Sequence, residues 1–66
     1  MKEWKVDFTK RFKDGREVEC GRVIEARTIQ DALEQAERLC EDEKAGNDMI
    51  DRIVIWNICI IDDNVF

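Results

Sequence analysis

Residues 3–12, EWKVDFTKRF, alternate. Trp4, Val6, Phe8 and Phe12 share one parity; Lys5, Asp7, Thr9 and Arg11 share the other. Lys10 is the exception, a charge among apolar positions. Successive side chains of a strand point to opposite faces, so the pattern predicts a half-buried strand. KDG follows at 13–15, and Asp-Gly signals a hairpin because glycine accepts positive φ. Residues 16–26 alternate again. Val18, Cys20, Ile24 and Ala26 lie on the even face, and Glu17, Glu19 and Glu25 on the odd one.

Parity narrows the choice of turn. A two-residue Asp14-Gly15 loop would set Phe12 opposite Glu17, an apolar face beside an acidic one. A Lys13-Asp14-Gly15 loop keeps even beside even, with Gly15 in the left-handed position of a bulged turn. An Asp14-Gly15-Arg16 loop also does so, and would pair Lys13 with Glu17, Arg11 with Glu19 and Lys5 with Glu25. Both registers stay open on the pattern alone. Gly21 marks a candidate bulge in the second strand.

RTIQDALEQAERLCEDEKAGND reads as a helix. Thr28 is its N-cap and Asp31 stands at N3, close to a capping box. Ile29, Ala32, Leu33, Ala36, Leu39 and Cys40 form one apolar stripe at helical spacing. Gly46 ends the helix. Met49 and Ile50 lead into a last strand over 52–61, whose core is IVIWNICII. The expected fold is α+β, a single domain over 1–66 with element order β-β-α-β. A helical crossover returns the third strand parallel to the second. The simplest result is a three-stranded sheet, mixed or antiparallel, in order 2-1-3, with one helix packed on its even face.

The last strand is apolar on both parities. Val54, Trp56, Ile58 and Ile60 have no polar member, so they are expected to face the helix. Ile53, Ile55, Asn57, Cys59 and Ile61 then look outward as the expected partner interface. The reverse assignment would leave Trp56 outside. The tail residues Val65 and Phe66 could fold back over the outer set; the favoured cover is a second chain, most economically a copy of this one. Two edges could pair antiparallel about a two-fold axis, or two outer faces could stack.

Composition sharpens this picture. A chain of 66 residues buries only about 60% of its unfolded surface, and chains this short often add a staple: a disulfide, a metal or another subunit. Three cysteines, at Cys20, Cys40 and Cys59, are an odd set without a local motif, and there is no histidine. Neither a disulfide framework nor a structural metal is expected. Cys20 and Cys40 fall on core faces and read as small hydrophobes; Cys59 is the one expected to be exposed. The opening MKEWKVDF lacks the apolar run of a signal peptide, and 53–61 is too short to span a bilayer. A soluble protein of a reducing cytoplasm is expected, with no membrane partner.

The charge of −5 argues against direct contact with nucleic acid, which relies on Lys and Arg. The chain has no serine, histidine or tyrosine, no carboxylate that the sequence marks as buried, and no cysteine at a helix N-terminus or in a motif that would lower its pKa; no catalytic residue and no cofactor are expected. Asp62, Asp63 and Asn64 could offer oxygens to a cation, but read as solvated turn residues. Glu34, Glu37, Glu41 and Asp42, with Glu43 and the strand residues Glu17, Glu19 and Glu25, form an acidic surface. It could imitate a run of phosphates and capture a basic protein, although a solvated helix face, with Arg38 beside Glu34, explains the same residues.

The stretch VIEARTIQDALEQAERL at 23–39, strand into capped helix, resembles a pattern common in small phage and mobile-element proteins. Some anti-CRISPR proteins of similar length share the hairpin–helix–strand order. The resemblance covers about a quarter of the chain and carries no catalytic or binding residue. It implies a protein that occupies another protein's surface. Two readings follow: a non-enzymatic interaction module self-associating through 53–61, or an acidic, DNA-mimic-like inhibitor at a nucleic-acid-binding site of a host protein.

Overall fold

The computed structural model describes residues 1–62. Four elements follow in the order β1 (Lys2–Phe12), β2 (Glu17–Ala26), α1 (Ile29–Ala45) and β3 (Ile50–Asp62). The sheet is antiparallel throughout, in order β2-β1-β3. The aromatic-rich β1 is therefore central.

The hairpin takes the Lys13-Asp14-Gly15 loop. Lys10 pairs with Val18 and Arg11 with Glu17, Gly15 has φ +92°, and the Gly15 N–H donates to Phe12 O at 3.0 Å. The register that would have joined Lys5 to Glu25 is not used; Arg11 instead meets Glu17, with Nη2 2.9 Å from Oε1. Gly21 carries no bulge. The β1–β2 register runs unbroken past it, opposite Asp7. A Cβ there would lie 3.3 Å from Asp7 Oδ1 and 3.5 Å from Lys5 Cε, so the glycine makes room for two β1 side chains lying across it.

Thr28 caps α1, its hydroxyl accepting the Asp31 N–H at 3.2 Å. Gly46 closes the helix in the right-handed region, with its N–H on Asp42 O at 3.1 Å. Of the expected stripe, Ala32 and Ala36 are buried and Leu39 and Cys40 half-buried, whereas Ile29 and Leu33 are exposed. Two alanines at the contact let the helix lie close to the sheet. One flank of this seam is tied down, since Gln35 Nε2 donates to Glu25 O of β2 at 2.9 Å. At 3.6 residues per turn, Ile29 and Leu33 lie on the opposite flank, toward β3. They overhang a sheet that is too narrow to cover them.

The core has two linked clusters under the helix. Trp4, Ala26 and Ala32 form one, and the Trp4 indole N–H donates to Ala26 O at 3.0 Å. Val6, Phe8 and Ala36 form the other. The inward Lys10 is explained here. Its Nζ lies 3.0 Å from Glu43 Oε2, while Arg22 Nη2 reaches Glu43 Oε1 at 2.9 Å. One helix carboxylate thus clamps both β1 and β2.

Candidate interaction surface along the third strand

β3 is bulged against β1. Register shifts fall between Arg11 and Phe12, between Asp7 and Phe8, and between Glu3 and Trp4. They leave Asp51, Trp56 and Ile61 as the extra residues of β3. A bulge opposes two residues to one and so reverses the parity of everything beyond it.

The reversal at Trp56 corrects the expected facing. Ile53 and Ile55 are half-buried on the helix side, packed against the cluster of Val6, Phe8 and Ala36. Beyond the bulge Ile58 faces the same way, opposite Val6 and against both clusters. Val54 is outside, opposite Thr9. Neither expected set holds as a set; each contributes one half of the inner face. Asn57 and Cys59 lie outward as expected, opposite Asp7 and Lys5. The Asn57 amide donates to Asp7 Oδ2 at 2.9 Å, which gives the one polar residue of the run a partner on the outer face.

Exposed apolar side chains gather along this strand. Trp56 is 57% exposed and Ile61 50%, with Val54 and Ile60 not far below. Ile29 and Leu33 continue the surface onto the helix flank. Val54 lies on the outer face and Ile60 on the helix side, so this exposed apolar surface wraps around the edge of the sheet. Among the described residues β3 pairs with β1 alone, so its other edge presents free backbone groups beside this patch.

Glu34, Glu37, Glu41 and Asp42 are exposed on α1. Glu43 does not belong with them, being held in the Lys10–Arg22 clamp. Arg38 makes no ion pair with Glu34 among the described residues. Cys20 and Cys40 are half-buried and Cys59 is exposed. Burial pushes the Cys40 thiol pKa up, and the charges of Glu43 and Glu37 add to the effect.

Two hollows, both open to solvent, lie at the hairpin end. One of about 480 Å³ is lined by Arg11, Phe12, Lys13, Gly15, Glu17 and Asp51. The other, about 260 Å³, touches Thr9, Arg11, Glu17, Arg52 and Val54. Their acidic members are exposed, and Glu17 is already engaged by Arg11. Among the described residues no cluster of His, Cys, Asp or Glu is grouped to hold a metal, and no helix is long and apolar enough to cross a membrane. Asp63 and Asn64 of the acidic run, the side chain of Asp62, and the tail residues Val65 and Phe66 lie outside what is described.

No protein-family model matches the chain, and neither a curated protein nor a solved structure matches it.

Proposed function

We propose that this protein is a non-enzymatic interaction module that self-associates through β3. The observation that supports this most is the coincidence of an open sheet edge with the apolar patch of Val54, Trp56, Ile60 and Ile61. An edge of this kind templates further pairing unless something covers it. A second subunit is also one of the usual ways in which a domain of this size gains stability. The contact surface is revised from the expected one: Ile53 and Ile55 pack inward and support it, while Trp56 and Ile61 present it.

Light scattering across a concentration series tests the reading. A mass that doubles with concentration, and falls back to monomer in Trp56→Lys and Ile61→Lys, is the expected result. Each copy carries −5, so added salt should strengthen the dimer by screening repulsion. A monomer at every concentration refutes self-association.

The second reading is an acidic inhibitor of a nucleic-acid-binding protein. Its support is the outward row of Glu34, Glu37, Glu41 and Asp42, which makes no ion pair among the described residues. The phage-protein resemblance of 23–39 points the same way. Salt distinguishes the two, because capture of a basic partner weakens as salt rises and is lost when Glu37 and Glu41 are reversed to Lys.

A further inference from the structure

We infer that the bulge at Trp56 fixes how two copies join: β3 pairs antiparallel with β3 of a second copy about a two-fold axis between residues 56 and 57. This rests on the self-association reading above and adds its register.

Facing residues of neighbouring strands must lie on the same side of the sheet. Before the bulge the helix-side residues of β3 are Ile53 and Ile55; after it they are Ile58 and Ile60. A strand without a bulge would pair with itself only by matching odd with odd or even with even. This strand must match odd with even. One such register sets Ile53 opposite Ile60 of the second copy and Ile55 opposite Ile58 of the second copy, all on the helix side. On the outer side Val54 meets Cys59 of the second copy. Trp56 and Asn57 face each other across the axis.

The pattern favours a copy of this chain over a foreign strand. A regular strand laid on this edge would again meet two residues with one at Trp56 and leave one of them unpaired. A copy carries its own extra residue at the same level, so pairing continues one to one through the axis. The contacts are also chemically even: β-branched residues oppose β-branched ones on the helix side, pairs that stabilise sheets, and 53–61 contains no charge. On that side the exposed Ile29 and Leu33 of each helix lie toward the new seam. Edge pairing adds main-chain hydrogen bonds along the strand and brings the exposed Val54, Ile60 and Ile61 of both copies beside the seam.

Native Cys59 makes the register measurable. Directly opposed residues of an antiparallel pair sit about 4.5–5.5 Å apart at Cα, within disulfide reach. Within one chain, positions 54 and 59 are about 16 Å apart along the strand, too far for an internal bond. The experiment is Val54→Cys in the full chain, incubated with oxidised glutathione. Two thiols give up two electrons and two protons to form the bond, and the glutathione disulfide is reduced to two thiols. The expected result is a covalent dimer, reversed by reductant, whose peptide map joins position 54 of one chain to 59 of the other. Adding Cys59→Ala should abolish it, and Arg52→Cys, two residues along the outer face, should not form it. A dimer by light scattering that does not cross-link at 54–59, or that links through Arg52→Cys instead, overturns the register and leaves self-association standing. A monomer by light scattering overturns both.

Discussion

Replacing Trp4 by Phe tests the core and isolates the edge in one variant. Trp4 is 7% exposed and sits between Ala26 and Ala32. Its indole N–H donates to Ala26 O at 3.0 Å, and Ala26 is fully buried. Phenylalanine keeps most of the ring but loses the donor. That bond is worth about 1 kcal/mol net, and a buried carbonyl left without it adds to the loss. The smaller ring removes about 40 Å³, another ~1 kcal/mol at the cavity rate. The sum is about 2–3 kcal/mol, against a total of roughly 3–10 kcal/mol for a chain of this size. Urea denaturation followed by far-UV circular dichroism should show a midpoint lower by about 2 M, given a slope near 1 kcal/mol/M. Protein concentration must be held constant, because association would shift the midpoint. Trp56→Phe, at a residue 57% exposed, serves as the comparison and should cost the monomer under about 0.5 kcal/mol. If Trp4→Phe costs no more than Trp56→Phe, the indole–Ala26 bond and the packing assigned to it are wrong. The variant also leaves Trp56 as the sole indole of a chain with two tryptophans, so its emission then reports the β3 edge alone.

Three further outcomes follow from features of the fold. Gly15→Ala should destabilise by about 1–2 kcal/mol, the strain of a Cβ in the left-handed region, although no atom crowds the position; Gly15→Asn should lose less, and thermal melts would show both. Glu43→Ala leaves Lys10, 22% exposed, without its carboxylate, and should cost about 1–2 kcal/mol, between the values for exposed and buried pairs. A loss under about 0.3 kcal/mol in urea would show that the clamp is not structural. Thiol labelling at mildly alkaline pH should modify Cys59 first and Cys40 slowly. Cys40 is half-buried and its raised pKa keeps it protonated to higher pH, so equal rates by mass spectrometry would refute that ordering.

Much of the fold was legible because single rules acted alone. The hairpin followed from parity, which excluded the tight turn, but the two looser registers differed only in surface charge pairs. The structure uses the one that places Gly15 at positive φ, so backbone strain outweighed those pairs. Thr28 and Gly46 marked the helix ends because capping is local. Lys10 could not be explained from β1, since its partner Glu43 lies across the fold on α1. The facing of β3 was half legible. A bulge at Trp56 has no glycine to announce it; Gly21 carried that signal and holds a regular register instead. Every residue flanking Trp56 except Asn57 is apolar, so hydropathy could not show where the parity turned over. The Asn57–Asp7 bond marks the outer face there, and a polar residue within an apolar run was the available clue.

The position of β1 between β2 and β3 also sets an order of events during synthesis. β1 is made before both neighbours. Its pairing with β2 spans a short loop and closes within microseconds. The other side must wait for β3, whose Ile60 pairs with Trp4 from the far end of the described chain. Until β3 arrives the aromatic strand has one unsatisfied margin, and α1 has half a sheet to rest on. A chain released without β3 should therefore be caught by chaperones or proteases, while one that carries it should escape them.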